Sequence, residues 1–155
     1  MNKKNKKFLA IIPARGGSKG IKRKNLHQLE GKPLICWTIE ATLKSSYVTH
    51  TYVSSDDKEI LELAKDSEVG CIKRPKYLSD DKADSKSLIQ HAIKKIDPKV
   101  SYDFLILLQP TSPLRHSRHI DEACKKILQE ENDSLISVTK SDNKAVSYTH
   151  LRAHE

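Results

Sequence analysis

One stretch constrains this chain more than any other: Ile11-Ile-Pro-Ala-Arg-Gly-Gly-Ser-Lys-Gly-Ile-Lys-Arg-Lys-Asn25. It continues an apolar run, Phe8 to Ile12, whose length and composition predict a short buried strand. The run breaks at Pro13 and opens into a loop with three glycines and five basic side chains, Arg15, Lys19, Lys22, Arg23 and Lys24. Glycine lets backbone N–H groups turn toward a ligand and approach it closely. A strand ending in such a loop suits a polyphosphate, with the cations gathered around several negative charges. The competing reading is a basic surface loop without a ligand. Two common phosphate motifs are excluded by spacing. Gly16 to Gly20 does not give the Gly-x-x-x-x-Gly-Lys-Ser/Thr of a P-loop. Gly16, Gly17 and Gly20 do not give Gly-x-Gly-x-x-Gly. Roughly twenty residues separate the strand from the next helical pattern at Pro33, and loops of that length are usually functional.

Beyond the loop the chain alternates strands and helices. Pro33 suits a first helical position, and Leu34, Ile35, Trp37, Ile39, Ala41 and Leu43 are the apolar residues of a helix to about Ser45. Trp37 is expected in the core. Thr49 to Ser54 predicts a strand. Ser55-Asp56-Asp57 offers N-cap oxygens, with Glu59 three residues after Asp56 as in a capping box. Asp56 and Asp57 also resemble a metal pair at a strand end, but helix capping is the simpler role. Ile60, Leu63 and Ala64 face inward on that helix, and Gly70 to Lys73 is the next strand. Ser85 is expected to cap an amphipathic helix carrying Leu88, Ile89, Ala92, Ile93 and Ile96, with His91 on its exposed side. Asp97-Pro98 ends it.

Phe104 to Leu108 is the most apolar run and predicts a central parallel strand buried on both faces. Gln109-Pro110-Thr111-Ser112-Pro113 stops it at a strand's carboxyl end, where α/β sheets bind ligands. Ser117 starts a helix with Ile120, Cys124, Ile127 and Leu128 inward; His116 and His119 at its first turn are expected to cap or face solvent. Ser134 to Thr139 predicts a fifth strand. Strands alternating with helices imply a parallel sheet.

Charge narrows the partners. The net charge is +8, and four of these charges sit in the tail Met1–Lys7, which leaves +4 on the rest. That suits an anionic small substrate. Nucleic acid is disfavoured, because aromatics are only 5% and none interleave with Arg and Lys. No apolar run approaches the roughly 20 residues of a membrane span, and Phe8 to Pro13 is too short for a signal core. A cytoplasmic location without membrane contact is therefore expected. The three cysteines, Cys36, Cys71 and Cys124, form no Cys-x-x-Cys and are expected as buried free thiols.

The motifs also carry a resemblance. Ile12-Pro-Ala-Arg-Gly-Gly-Ser-Lys-Gly20 followed by Lys24-Asn25 resembles the opening signature of the acylneuraminate cytidylyltransferases, the CMP-sialic acid synthetases. Val53-Ser-Ser-Asp56, Arg74-Pro75, Leu78 through Ser85, and Leu108-Gln-Pro-Thr-Ser-Pro-Leu-Arg115 match in the same order. Related sugar cytidylyltransferases share much of the first motif. The resemblance implies a Rossmann-like α/β nucleotidyltransferase, a three-layer sandwich with a mainly parallel sheet and its C-terminal part missing. Residues 8–144 would form an incomplete nucleotide-binding domain after the basic tail 1–7. Residues 145–155, without periodicity or resemblance, look like foreign sequence at the end of an interrupted reading frame.

The family transfers CMP from CTP to the anomeric hydroxyl of a nine-carbon acidic sugar and releases pyrophosphate, with Mg²⁺ as cofactor. By resemblance Arg15 and Lys24 are the catalytic residues, holding the triphosphate and stabilising the leaving pyrophosphate. Ala14, Gly16, Gly17, Ser18 and Lys19 belong to the same cradle, and Asn25 fixes the ribose or a phosphate oxygen. Arg74, Ala83 and Ser85 read the cytosine. Gln109 and Arg115 lie on the sugar side. The metal-binding aspartates and a dimerisation arm would lie in the missing part, so no metal ligand is expected in this chain, and the homodimer of the family is expected only of the complete protein. Gln109 also argues for itself. Many sugar nucleotidyltransferases carry a metal-binding aspartate at this strand end, and an amide does not bind Mg²⁺ as a carboxylate does. It can donate to an acidic sugar and accept from a hydroxyl, which favours a nonulosonic acid over 3-deoxy-manno-octulosonate. Three readings follow: a cytidylyltransferase for sialic acid or for pseudaminic or legionaminic acid, a CTP-binding fragment without turnover, and a basic nucleic-acid-binding module.

Overall fold

A computed structural model describes residues 6–18, 20–80, 84–96, 99 and 101–138. Strand β1, Phe8–Pro13, leads into the basic loop. The long connection that follows is not bare. It holds a single 3₁₀ turn, Lys24–Leu26, and a small hairpin of β2, Gln28–Leu29, and β3, Lys32–Pro33. Gly31 turns the hairpin at φ 82°, a backbone angle glycine adopts without a Cβ penalty. Trp37 fastens the hairpin to the next helix: its indole N–H donates to the Leu29 carbonyl at 3.1 Å, and Lys32 stacks 3.8 Å from the ring centroid.

The order then runs α1 (Leu34–Leu43), β4 (Val48–Ser55), α2 (Lys58–Asp66), β5 (Gly70–Lys73), α3 (Ser85–Lys95), β6 (Phe104–Leu107) and α4 (Ser117–Glu130). The main sheet has the order β5-β4-β1-β6 with every pair parallel. Alternation along β1 builds two cores. Phe8, Ala10 and Ile12 face Ile35 and Ile39 of α1, Ile60 and Ala64 of α2, and Ile120 and Cys124 of α4. Leu9 and Ile11 face Leu88, Ala92 and Ile96 around α3. The result is the three-layer α/β arrangement that the resemblance implies, built on the parallel sheet anticipated from the strand–helix alternation.

Several expectations are corrected. Among the described residues β6 is the outermost strand of the sheet, and all four of its residues are only half-buried; β4 and β1 hold the inner places. The apolar run of β6 registers a hydrophobic neighbourhood, not a central position. Residues 134–138 form no strand, because no neighbouring strand pairs with them, and Ile136 and Val138 are 75% and 89% exposed. Thr139, the end of that expected strand, lies outside the described residues, as do most of the tails 1–7 and 145–155. Cys124 is buried and Cys36 partly so, whereas Cys71 is exposed. Burial pushes the Cys124 thiol up to about 12, which leaves it protonated and unreactive near neutral pH.

Candidate functional site

The carboxyl ends of β1, β4, β5 and β6 converge on one edge of the sheet. Ala14 N–H donates to the Ser54 carbonyl at 3.0 Å, Arg74 N–H to the Ser55 carbonyl at 2.7 Å, and Leu108 N–H to the Ile11 carbonyl at 3.0 Å. These bonds carry the sheet one residue past each strand and fix where Arg15, Arg74 and Gln109 leave it. The three line a cleft of about 250 Å³ together with Ser85, Ser79, Asp80, Asp84, Pro13 and three leucines, Leu78, Leu88 and Leu107. Residues expected from separate motifs thus share one cavity.

Arg74 is the unusual member. It is 5% exposed, and its Nε and Nη2 have no hydrogen-bond partner among the described residues. These two nitrogens lie on the same edge of the guanidinium, so they present a two-pronged donor fork. Burial lowers its pKa, nearby Asp56 acts against that, and the like charge of Arg15 adds to it. A buried cation with an unused fork, close to a second cation, favours a ligand with adjacent acceptors. Ser79 Oγ is also enclosed and unpartnered among the described residues.

The glycine loop is tied down from behind. Asn25 is 6% exposed, and its side-chain amide donates to the Arg15 carbonyl at 2.9 Å. Gly16 N–H donates to Asp56 Oδ1 at 3.0 Å. Gly17 is exposed and Ser18 and Lys24 half-buried; Ala14 is fully buried beneath the loop. Lys19 and Ala83 lie outside the described residues. Arg115 is half-buried, which lowers its pKa, and donates to the Gln109 carbonyl at 3.2 Å. The two residues assigned to the sugar side therefore stand together.

The acidic residues divide differently from the expected capping box. Asp57, not Asp56, caps α2, accepting from Glu59 N–H and Ile60 N–H. Glu59 does not reach back to the cap; it pairs with Arg23 at 2.9 Å. Arg23 is thus engaged with protein carboxylates instead of joining the open cradle. Asp84, one residue before the expected Ser85, caps α3. Asp56 serves the loop amide and Asp57 the helix end, and among the described residues no group of three His, Cys, Asp or Glu side chains could hold a metal ion. His116 and His119 cap α4 together, the His116 N–H donating to His119 Nδ1 at 3.1 Å.

His91 departs from its expected exposure. It is half-buried on α3, with Nδ1 enclosed and unpartnered among the described residues. Burial, then Lys95 and Arg74, hold its pKa below the usual imidazole value. Neither His91 nor Ser79 stands out in the sequence: each becomes part of this region only through the packing of α3 and the turn after β5.

Comparison with known proteins follows the same lines. The family model for cytidylyltransferases matches residues 9–154, so the match extends across most of the segment 145–155 expected to lie outside the family. An N-acylneuraminate cytidylyltransferase of Escherichia coli is 41% identical over 137 residues, and a pseudaminic acid cytidylyltransferase of Campylobacter jejuni is 40% identical over 136. The alignments cover 88% and 86% of this chain, but only 32% and 59% of those relatives. Among solved structures, a CMP:2-keto-3-deoxy-manno-octonic acid synthetase in complex with CTP superposes with a TM-score of 0.67 at 24% identity, over 81% of this chain and 48% of the other. A 4-diphosphocytidyl-2C-methyl-D-erythritol synthase gives 0.62 at 14% identity, over 83% of this chain and 56% of that one. These two likenesses speak to the fold alone. Among the described residues no helix is long and apolar enough to cross a membrane.

Proposed function

The chain belongs to the cytidylyltransferase family, and from that membership we propose that it forms the CTP-holding part of an enzyme that transfers CMP to the anomeric hydroxyl of a nonulosonic acid. The observation that carries this reading is the buried, unpartnered fork of Arg74 in a cleft shared with Arg15. Cytosine offers two adjacent acceptors, O2 and N3, to such a fork. Uracil has an N–H at N3 and would leave one donor facing another. The base would therefore lie over Arg74, with Ser85 and the backbone near Ala83 at its edge.

The triphosphate would then run toward the glycine loop. Arg15 and Lys24 supply charge, and Gly16, Gly17, Ser18 and Lys19 supply backbone and side-chain donors. In the reaction the sugar hydroxyl gives up its proton to solvent as its oxygen bonds to the α-phosphorus, the bond to the bridging oxygen breaks, and pyrophosphate leaves with the electron pair of that bond. Positioned cations lower that barrier most effectively when they face the charge as it develops. Gln109 and Arg115 would orient the acidic sugar. The family names of the relatives support a sialic or pseudaminic acid. The cytoplasm is the proposed location, and a homodimer the proposed assembly of the complete enzyme.

Mg²⁺ is the cofactor proposed for this reaction, and no step is assigned to it through the carboxylates described above. Their commitment to Gly16 and to the start of α2 favours a second reading for the chain by itself: it holds nucleotide with little turnover. The experiment is a thermal-shift titration with CTP, UTP, ATP and GTP, followed by pyrophosphate release with Mg²⁺ and N-acetylneuraminic or pseudaminic acid. Selective stabilisation by CTP is expected. Equal shifts with all four nucleotides would sink the reading, and release on the order of 1 s⁻¹ or faster would sink the low-turnover form of it.

A further inference from the structure

We infer that Arg23 is a positioning residue: it latches the far end of the glycine loop onto the start of α2 and does not contact the nucleotide. The inference rests on the reading of that loop as the phosphate cradle. Two observations carry it. Arg23 Nη2 lies 3.1 Å and 3.3 Å from the two carboxylate oxygens of Asp57, and its Nη1 lies 2.9 Å from Glu59 Oε2. Its backbone sits at φ 54°, ψ 39°, the left-handed region that few residues with a Cβ adopt. A non-glycine residue holds that conformation when its surroundings fix it, and here the two carboxylates grip the side chain.

The near end of the same loop is held by the same short stretch. Gly16 N–H binds Asp56, and a Cβ at Gly16 would stand 2.6 Å from Asp57 Oδ2. The Asp57 carboxylate therefore lies against Gly16 and also accepts from Arg23. Both ends of the loop are pinned to one helix start, with residues 17–22 between them. A loop closed in advance loses less freedom when it wraps a ligand, so its affinity for that ligand rises. Were Arg23 a phosphate ligand, the carboxylates would compete with the nucleotide for it. As a latch, the carboxylates help the nucleotide bind. The two roles give opposite signs for Glu59.

The test uses this chain with Arg23→Ala, Glu59→Ala and the charge swap R23E/E59R. Glu59 is mostly exposed and α2 is capped by Asp57, so these changes leave the helix intact. Endoproteinase Lys-C digestion without nucleotide reads the loop directly, through cleavage after Lys22. Titration with CTP and with cytidine reads the consequence. Each single variant is expected to speed cleavage and to weaken CTP roughly two- to tenfold, as for a small network of surface ion pairs. Cytidine, which has no phosphates, should bind unchanged, and the swap, which re-forms the pair with position 59 but brings a carboxylate against Asp57, should restore both readouts in part. A general loss of stability would not spare cytidine or be rescued by the swap. If Glu59→Ala leaves CTP binding unchanged or tightens it while Arg23→Ala weakens it, Arg23 is a phosphate ligand and the latch is overturned. Unchanged Lys-C cleavage in Arg23→Ala overturns it as well. If the unaltered chain binds no CTP, the cradle reading fails, and the digestion alone decides the latch.

Discussion

Asn25 reaches back across ten residues of loop to donate its side-chain amide to the carbonyl of Arg15 at 2.9 Å. The residue that the resemblance assigns to ribose or phosphate therefore spends one donor on the protein. Its role is partly to set the peptide from which the Arg15 side chain departs. Asn25→Asp replaces that donor with a second acceptor and should be worse than Asn25→Ala. Losing the bond and burying an unpaired carbonyl costs about 1–3 kcal/mol. Urea unfolding of the two variants checks the order, and CTP affinity should fall in both.

Arg74 should decide between bases. The unaltered chain is expected to bind CTP more tightly than UTP, and Arg74→Lys should narrow that preference, because an ammonium cannot present two parallel donors. A bidentate base contact is worth about 1–3 kcal/mol of discrimination. Arg15→Ala, in contrast, should weaken CTP while sparing cytidine. Calorimetric titrations with cytidine, CTP and UTP separate the two arginines. A preference for CTP that survives Arg74→Lys would move the base elsewhere.

Neighbouring glycines should differ sharply. A Cβ at Gly16 would lie 2.6 Å from Asp57 Oδ2 and 2.8 Å from Asp57 Cβ, whereas one at Gly17 would meet nothing within 4 Å. Gly16→Ala must displace the residue that caps α2, at a cost of about 1 kcal/mol in lost capping. Gly17→Ala should fold like the parent. Thermal melts of the pair make the comparison, and equal losses would contradict the position of Asp57.

His91 gives the fold an acid limit. Its pKa is held below the usual value chiefly by burial, then by Lys95 and Arg74. A histidine with a lowered folded pKa favours the folded state while neutral. That contribution is fully present above the unfolded value of about 6.5 and is lost as pH falls toward the folded value. Stability should therefore decline on acidification below that point, and His91→Asn should flatten this part of the profile. Denaturant midpoints between pH 5 and pH 8 test it. Parallel profiles for the two proteins would assign the acid sensitivity to other groups.

The sequence was most informative where local pattern and global place coincide. The break at Pro13 after five apolar residues located both β1 and the start of the basic loop, and the motifs that carry the resemblance held Arg15, Arg74, Ser85 and Gln109, which the fold brings to one cleft. It was least informative where placement depends on neighbours. Phe104 to Leu107 has the composition of a central strand yet lies at an edge, because composition reports apolar surroundings and not which strands pair. Asp56 and Asp57 are adjacent and chemically alike, so spacing alone did not show which caps α2 and which holds Gly16. Likewise, Arg23 counts as one more cation in the loop until its contacts with Asp57 and Glu59 are seen. His91 falls on the polar side of its helix by periodicity, and only the folded chain reveals that one ring nitrogen is shut off from water.

The edge position of β6 has a colloidal consequence. An outermost strand displays a row of backbone donors and acceptors that another extended segment can satisfy. Among the described residues that row runs along half-buried Phe104, Leu105, Ile106 and Leu107. Mutual repulsion from a net charge of +8 keeps such edges apart in dilute buffer. Added salt shortens the reach of that repulsion to about 8 Å at physiological ionic strength. The protein should therefore cluster in concentrated, salty solutions and disperse again when salt is removed, with light scattering following ionic strength and not temperature.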